Sequence, residues 1–490
     1  MRYLLILLTL ISTSVFAQDS TGYLEGNNVR ALLSNRGIFF NDNPDSRPSY
    51  EFPKGSENHL VYSNAFWFGA KDSGGNVKMA SEIYGGMDID GVERRDLFPG
   101  AISADGSAEA PVPAYADDVY IVSKEEILFH AANYNVWDYV APDVITNWPA
   151  HGDVSMDLDF NLAPFADLNS NSFYEPELGE YPEIRGDHAA YIIVNDKGGV
   201  HTNSGGDPLG IEVHFMFYQY EDAGFLENTT FVNVRVINRS TNSYPEFIVG
   251  NYMDADIGFA GDELAGYNAD NNITYTYNGD LFDEGSGGSP GYGDNPPAIG
   301  IVGLNHVPAQ YCFATPAPIW TPASAVDYWN IMTGAWDCVE EDGLVGDRRM
   351  FMATPSVALN AGDVVCYDYA VINSSVATPL ENVADLLVIA DEAVDFHVAS
   401  PNIYCNYFLS VEADAELAKF NVYPNPSNGG FAITAEGNYD LSVFAIDGRL
   451  VYAQKNNSGE TEIQLDVVVG TYVLVLENDT QQMTQKLVIR

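Results

Sequence analysis

The stretch Ile211-Glu212-Val213-His214-Phe215-Met216-Phe217-Tyr218-Gln219-Tyr220 predicts a β-strand of the core. Its first half alternates between apolar and polar residues, and its second half is apolar or aromatic almost throughout. Similar runs flank it and are separated by turns rich in Asn, Asp and Gly. We therefore predict a mainly β protein whose body is an antiparallel β-sandwich. The flanking strands are predicted at residues 60–69, 191–194, 230–237, 247–250, 273–277 and 364–372.

One helix is clearly marked within this β pattern. Thr378-Pro379-Leu380-Glu381 forms a capping box with proline at the first helical position. We expect this helix to pack against the sheet, and we expect a second, short helix at residues 125–137. The apolar residues that follow the capping box at helical spacing are Val383, Leu386, Leu387, Ala390 and Val394.

The chain is strongly acidic. Its 490 residues carry 69 Asp and Glu against 21 Lys and Arg, a formal charge of −48. Such a charge repels phosphate backbones and anionic lipid surfaces, so we expect no nucleic-acid partner and no binding to an anionic membrane surface. Excess carboxylates are suited to divalent cations. The alternative is that the charge only keeps the protein soluble.

Residues 167–175 follow the spacing of a calcium loop. Asp167, Asn169, Asn171 and Glu175 place oxygen-bearing side chains at positions 1, 3, 5 and 9 of such a loop. The backbone carbonyl of Phe173 falls at position 7, and a tight turn can bring all five oxygens around one ion. We therefore predict Ca²⁺ as a cofactor and these five residues as its ligands.

This loop departs from the EF-hand pattern in two places. Ser172 replaces the glycine of position 6, and Leu178 stands where a bidentate glutamate completes the coordination sphere. Glu180 and Asp187 are the candidates for the missing carboxylate. The alternative is an Asx-rich surface turn that holds no ion.

A second acidic group contains Asp254 and Asp256, with Asp262 and Glu263 close behind in the sequence. Asp254 and Asp256 point to the same side if the chain is extended there, because side chains alternate along a strand. A cation would relieve the repulsion between them, so both are predicted metal ligands. Solvated loop carboxylates are the alternative.

No motif in the body specifies catalysis. Residues 287–291 match Gly-x-Ser-x-Gly, but a nucleophile elbow needs a strand before the serine and a helix after it, and here Gly and Asp flank the motif. The tryptophans could stack on sugars, although core packing is the simpler expectation. A catalytic carboxylate pair could lie among the 69 acids, so a polysaccharide hydrolase stays as the alternative function.

The amino terminus has the pattern of a secretory signal peptide. Arg2 supplies the charged region, residues 4–11 are apolar apart from Thr9, and we expect cleavage after Ala17. The apolar run is shorter than the roughly 20 residues that span a bilayer. The sequence therefore predicts an exported protein.

Export permits disulfides between the four cysteines, Cys312, Cys338, Cys366 and Cys405. Four cysteines allow three pairings. We expect Cys312 to pair with Cys338, because both lie in one loop-rich region, and the other pairings stay open. No Cys-x-x-Cys spacing occurs, so neither zinc nor redox chemistry is supported.

The last segment, residues 419–490, has the pattern of a separate small β-sandwich, with strands predicted at 431–434, 439–445, 450–454, 461–465, 471–477 and 485–489. An acidic linker at 411–418 precedes it, and Tyr423-Pro424-Asn425-Pro426 begins it. The prolines are unsuited to a central strand, so they fix where the chain joins this module. Asp447-Gly448 predicts a hairpin turn, Gly470-Thr471-Tyr472 begins a strand, and the end is basic from Lys486 to Arg490.

Together with residues 446–451, these motifs resemble the type A sorting domain of the type IX secretion system of Bacteroidota. The resemblance implies an Ig-like β-sandwich that the translocon recognises and that is often cleaved off, leaving the cargo secreted or attached to lipopolysaccharide on the outer-membrane surface. A plain Ig-like adhesion module is the alternative. The implied sorting signal comprises Tyr423, Pro424, Asn425, Pro426, Gly448, Gly470, Tyr472, Lys486 and Arg490.

The body, residues 18–410, is similar to a group of exported Bacteroidota proteins that end in the same sorting domain. The resemblance names no activity. We expect the body to form either one unit or two subdomains, 18–160 and 161–410. We expect it to be a non-catalytic module, stabilised by calcium, that binds a glycan or matrix ligand. The motifs that carry the resemblance lie at 66–69, 147–149, 167–187, 252–258 and 346–349.

Overall fold

The structure of the chain is a computed structural model. It describes residues 19–42, 47–86, 93–104, 116–286, 289–314, 322–336, 345–399, 421–445, 449–465, 467–477 and 482–490. The predicted signal peptide with Ala17, the linker 411–418 and Gly448 lie outside the described residues. The described chain is mainly β, which confirms the predicted fold class.

The body is built from short and medium-length antiparallel strands. In chain order they are β1 (Thr21–Leu24), β2 (Arg30–Ser34), β3 (Ile38–Phe39), β4 (Asn41–Asp42), β5 (Arg47–Pro48), β6 (Tyr50–Glu51), β7 (His59–Lys71), β8 (Val77–Ala80), β9 (Phe98–Pro99), β10 (Tyr120–Ser123), β11 (Phe165–Ala166), β12 (Tyr181–Pro182), β13 (His188–Asn195), β14 (Ile211–Gln219), β15 (Thr229–Asn238), β16 (Tyr244–Ala255), β17 (Glu263–Asn268), β18 (Ile273–Asn278), β19 (Phe282–Asp283), β20 (Gly293–Asp294), β21 (Ala298–Gly303), β22 (Gln310–Ala314), β23 (Arg348–Ala353), β24 (Val357–Leu359) and β25 (Val364–Ser374).

Helices are few. The capping-box helix is confirmed as α4. The short helix expected at 125–137 is confirmed as α1, but it ends at Asn133 rather than at Trp137. None of the helices in the described part of the chain combines the length and the apolarity that a membrane span needs. The α-helices are α1 (Lys124–Asn133), α2 (Asp143–Thr146), α3 (Ala325–Met332) and α4 (Pro379–Ala399), and 3₁₀ helices lie at Val154–Met156, Pro176–Leu178, Gly224–Asn228 and Ala260–Asp262.

Two large sheets carry most of these strands. The first has the order β1-β2-β6-β7-β16-β23-β22, with β3 and β8 beside β7 and β24 beside β16. The second has the order β10-β13-β14-β15-β25-β21-β18-β17, with β9 beside β13. Each of the two sheets contains strands from before and from after residue 160. The expected division of the body into subdomains 18–160 and 161–410 stays a prediction.

The two sheets pack face to face around one aromatic core. The ring of Phe66 on β7 lies 5.3 Å from that of Phe215 on β14 and 5.4 Å from that of Tyr369 on β25. Val213, Phe215 and Phe217 point into this core, whereas Met216 and Tyr218 belong to a second core on the other face of the same sheet. The apolar second half of β14 follows from this burial on both faces.

Each outer face is covered by a helix. Leu386, Ala390 and Ala393 of α4 belong to the second core, so the expected packing of this helix on the sheet is confirmed. On the first sheet, Tyr328 of α3 packs edge-on against Trp67, with ring centroids 4.8 Å apart. Trp67 is fully buried, as core packing predicts for a tryptophan, whereas the same expectation is wrong for Trp137, which is 89% exposed.

The last segment folds as a module with its own sheet and core. The sheet has the order β26-β27-β29-β30, with β28 beside β27. Residues 431–434 and 439–445, predicted as two strands, belong to one long strand whose register shifts between Ala435 and Asn438. The core includes Ile433, Val443 and Leu474. The strands are β26 (Asn421–Tyr423), β27 (Gly430–Ala445), β28 (Leu450–Gln464), β29 (Gly470–Glu477) and β30 (Gln482–Ile489).

Two of the cysteines are described. Cys312 on β22 and Cys366 on β25 are each disulfide-bonded, which suits an exported protein. Cys338 and Cys405 lie outside the part of the chain that the structure describes. The pairing of Cys312 with Cys338 therefore stays a prediction.

Candidate functional site

The acidic cluster of the first sheet is formed by two neighbouring strands. Antiparallel pairing of β16 with β23 places Asp254 opposite Arg349. Asp256 follows β16 directly, and Asp347 directly precedes β23. One carboxylate oxygen from each of Asp254, Asp256 and Asp347 lies within 4.8 Å of the other two. The structure thus brings the two predicted ligands together and adds a third.

Arg349 supplies the countercharge of this cluster. Its Nη1 lies 2.8 Å from Oδ1 of Asp254 and also contacts Oδ1 of Asp347. Its Nε donates to the hydroxyl of Tyr84, and that hydroxyl donates to Oδ2 of Asp254 over 2.7 Å. One guanidinium therefore faces three carboxylates, so the cluster has excess negative charge whenever all three are ionised.

Burial changes the acidity of these groups. It raises the pKa of Asp254 to about 8 and the pKa of Asp256 to about 6, while the Arg349 guanidinium opposes both shifts. Asp254 is only 2% exposed, so the alternative of a solvated carboxylate is wrong for this residue. Near neutral pH this burial favours the protonated form of Asp254.

Glu263 and Asp262 lie at the border of the cluster. Glu263 is fully buried, and its oxygens accept the backbone N–H groups of Ile257 and Arg348. Burial, with Asp256 nearby, raises its pKa well above the usual range. Burial also raises the pKa of Asp262 to about 6. The neighbouring charge that raises it most is that of Asp283, which is not a member of the cluster.

The side chains of the predicted calcium loop converge on Glu175. The amide nitrogens of Asn169 and Asn171 donate to its Oε2 over 2.9 and 2.6 Å. Asp167 accepts the backbone N–H groups of Asn171 and Ser172 with its two carboxylate oxygens. Such bonds form an Asx-rich turn, and a turn of this kind also arranges the oxygens of a calcium loop.

The two departures from the EF-hand pattern are accommodated differently. Ser172 adopts φ +66°, the left-handed conformation that favours glycine at this position of a calcium loop. Glu180, which is buried, lies under the loop and accepts the backbone N–H groups of Leu168 and Glu175. Burial raises the pKa of Glu180, and Asp167 raises it further, so the two carboxylates are close enough to interact.

Asp187, the other candidate for the missing carboxylate, belongs to a different site. Its Oδ1 lies 3.0 Å from Nζ of Lys124, and its Oδ2 accepts the backbone N–H of Glu221. Of Glu180 and Asp187, only Glu180 therefore fits the loop as the missing carboxylate.

Phe173, whose backbone carbonyl is the predicted ligand at position 7, has a side chain that is more than half exposed. Its backbone N–H donates to Oδ1 of Asn171.

Several residues of the expected sorting signal join the two ends of the last segment. The side chain of Asn425 donates to the backbone carbonyl of Lys486 over 2.6 Å and accepts the backbone N–H of Val488 over 2.8 Å. The backbone N–H of Arg490 donates to the carbonyl of Ser427. The proline-containing segment is thereby fastened to the final strand.

The remaining described members of that signal lie around the same module. Gly470 pairs with Ile489 at the start of β29. The hydroxyl of Tyr472 donates to the carbonyl of Val468, and Tyr423 is more than half exposed. Pro424 and Pro426 each follow a cis peptide bond.

The last segment contacts the body beside the predicted calcium loop. The ammonium group of Lys486 donates to the backbone carbonyl of Asp167. A cavity of about 250 Å³ lies between this segment and the body, with Leu128 and Tyr181 on one side and Val488 and Ile489 on the other.

Asp347, Arg349 and Tyr84 were not predicted as members of a site. Asp347 and Arg349 belong to the segment 346–349, which in the sequence is only one of the motifs that the body shares with similar proteins. Only the pairing of β16 with β23 shows that this run faces Asp254. Nothing in the sequence around Tyr84 indicates its role.

Comparison with known families identifies the last segment. Residues 421–490 match the family model described as a secretion system C-terminal sorting domain. The match supports a secreted or cell-surface protein that is sorted by the type IX secretion system, and it implies that this segment interacts with that machinery. No curated protein matches the sequence.

Solved structures resemble the chain only weakly. A polysaccharide lyase shares 10% identity over 57% of this chain and 34% of its own, with a TM-score of 0.21. The heparan sulfate lyase HepC from Pedobacter heparinus shares 9% identity over 90% of this chain and 41% of its own, with a TM-score of 0.23. This chain thus spans less than half the length of either lyase. With TM-scores this low, neither lyase bears on the fold or the activity of this chain.

Proposed function

We propose that this chain is a non-catalytic binding or structural module that the type IX secretion system delivers to the medium or to the cell surface. On the surface, lipopolysaccharide is the proposed attachment point. The body is stabilised by Ca²⁺, which the loop 167–180 holds. A second divalent cation is held by Asp254, Asp256 and Asp347.

The arrangement of the loop supports the calcium proposal most directly. Asn169, Asn171 and Glu175 meet at one point, where two amide N–H groups now face a carboxylate oxygen. Rotation of each amide about its final side-chain bond exchanges nitrogen for oxygen, so the same three side chains can present oxygens to a cation. Asp167 and Glu180 add negative charge beside that point.

Thermal unfolding of the protein with and without calcium tests this proposal. A ligand that binds only the folded state at about 100 times its Kd stabilises that state by about 2.7 kcal/mol, so we expect Ca²⁺ to raise the Tm by several degrees over a chelator. Glu175→Gln removes a charged ligand and is expected to reduce the rise. Asp270→Asn, a change in an exposed Asx turn, is the control. An identical Tm in calcium and in chelator contradicts the proposal.

A polysaccharide hydrolase is the second candidate function. The observation in its favour is that Asp254 and Asp256 have pKa values of about 8 and about 6, so that one is protonated and the other ionised near pH 7. General acid–base hydrolysis of a glycosidic bond uses a protonated and an ionised carboxyl group that lie about 5–9.5 Å apart. Oxygens of Asp254 and Asp256 lie within 4.8 Å of each other, and Asp254 is only 2% exposed, so the geometry favours the non-catalytic proposal. Turnover of a polysaccharide that is abolished by Asp254→Asn and by Asp256→Asn would replace the non-catalytic proposal.

A further inference from the structure

A second cleft lies on the body, between α1 and the strands β13 and β14. It has a volume of about 450 Å³ and is open to solvent. Its walls differ in character. One wall is polar and is formed by Asp187, His188 and Glu221, together with Lys124 and Glu125 at the start of α1. The other wall is apolar and is formed by Leu128 and Phe129 of α1.

The polar wall is held in a fixed arrangement. Lys124 Nζ lies 3.0 Å from Oδ1 of Asp187, and its backbone N–H donates to the carbonyl of the same residue. His188 Nε2 lies 2.8 Å from Oε1 of Glu221. These contacts place carboxylate oxygens and an ammonium group along the cleft, where they can accept and donate hydrogen bonds.

The apolar wall is unusually exposed. The exposed fractions are 61% for Leu128 and 58% for Phe129. Tyr139 packs against Phe129, with ring centroids 5.9 Å apart. Trp137, in the same turn after α1, is 89% exposed. Leu128 and Phe129 line the same cleft, and neighbouring exposed apolar side chains of this size commonly mark a binding surface.

We propose that this cleft binds a neutral oligosaccharide, an inference that rests on the proposed role of the body as a binding module. A sugar ring has an apolar C–H face and polar hydroxyl edges. The C–H face fits the negative face of the Phe129 ring, and the hydroxyls fit the carboxylates of Asp187 and Glu221.

The charge of the cleft selects among ligands. Three carboxylates, from Glu125, Asp187 and Glu221, stand against the single ammonium of Lys124. Uronates, sulfated sugars and phosphates are therefore disfavoured by repulsion. A purely apolar ligand would leave these polar groups without water or partners, which is costly. A neutral polyhydroxylated ligand satisfies both walls.

Titration calorimetry of the full chain tests this inference. The ligands are neutral hexasaccharides of β-glucan, mannan and chitin, with a galacturonate hexasaccharide as the charged comparison. We expect at least one neutral hexasaccharide to bind with a Kd below about 1 mM. Phe129→Ala and Glu221→Gln, one change on each wall, are each expected to weaken that binding about tenfold.

Phe282→Ala is the matched control, because Phe282 is 50% exposed but belongs to β19 and not to the cleft. It should leave binding unchanged. The inference is overturned if no neutral hexasaccharide binds, if galacturonate binds more tightly, or if both wall variants bind like the parent. The calcium-dependent Tm is measured separately, so failure here is distinguishable from failure of the proposed function.

Discussion

At the scale of single residues, burial decides what the acidic side chains can do. Asp254 sits beneath Tyr84 and beside Arg349, so its proton is released only near pH 8 unless a cation replaces it. An acidic composition alone would suggest an ionised, hydrated carboxylate. Protonation and the proposed cation binding would therefore compete for the same oxygen atoms at this site.

The raised pKa of Asp254 makes stability depend on pH. Between the ordinary value of 3.8 and about 8, the folded state keeps a proton that the unfolded state releases. In a chelator, stability should therefore fall as pH rises through this window, by at most roughly 1.4 kcal/mol per pH unit from this group. Asp254→Asn should flatten the fall between pH 6 and 8, measured by chemical denaturation.

Asp270→Asn is the control for this measurement, because Asp270 is exposed and lies in the turn between β17 and β18, outside the cluster. It should follow the parent curve. Parallel pH curves for the parent and Asp254→Asn would show that Asp254 does not hold its proton in the folded state. Added Ca²⁺ should restore part of the stability at pH 8, since the cation neutralises the ionised cluster.

The backbone of Ser172 provides a second test at this scale. A non-glycine residue at φ +66° costs about 1–2 kcal/mol relative to glycine. Ser172→Gly should therefore raise the free energy of unfolding by about 1 kcal/mol in denaturant titrations. Ser172→Ala, which lacks the freedom of glycine, should give no gain. Equal effects of the two changes would contradict the conformational explanation.

The sequence alone predicted some of the residues in the loop 167–180 and in the acidic cluster. Asp167, Asn169, Asn171 and Glu175 were found because their spacing is local and one turn brings them together. Asp347 was missed because it joins Asp254 only through strand pairing between distant segments. Spacing patterns are informative within a turn or helix, whereas contacts across a sheet depend on register.

At the scale of elements, local signals identified the elements but not all of their boundaries. The capping box and apolar spacing gave α4, and period-two patterning gave β14. Two predicted strands of the last segment proved to be one strand, β27, because a shift of register lets it bend without ending. Helix α3 was not predicted, since its eight residues contain too few turns for a periodic signal.

Helix α1 carries the apolar wall of the proposed sugar cleft, and its first turn depends on a capping box. The Ser123 side chain accepts the backbone N–H of Glu126, and the Glu126 carboxylate accepts the backbone N–H of Ser123. Ser123→Ala should lower stability by about 1 kcal/mol and speed amide hydrogen exchange in α1. Ser123→Thr retains the capping hydroxyl, which also donates to the Glu126 carboxylate, and should behave like the parent. Unchanged exchange in Ser123→Ala would show that packing alone holds the helix.

At the scale of the whole molecule, the chain joins a large β-sandwich to a small module with a separate core. The body has its own aromatic centre around Phe66 and Phe215, whereas the last segment has a core around Ile433 and Leu474. The order of strands in the two large sheets was beyond prediction from sequence, because β16 pairs with β7 across many intervening residues. The identity of the last segment was accessible, because its motifs are local.

Delivery of the body to the outside of the cell depends on the sorting role of residues 421–490. Export of the full chain and of a chain that ends at residue 418 can be compared in the native bacterium by quantifying the body in medium, surface and periplasmic fractions. We expect the full chain outside the cell and the shortened chain in the periplasm. The shortened chain should be folded there, with the same Tm as the purified body. Equal amounts of the two chains outside the cell would contradict the account.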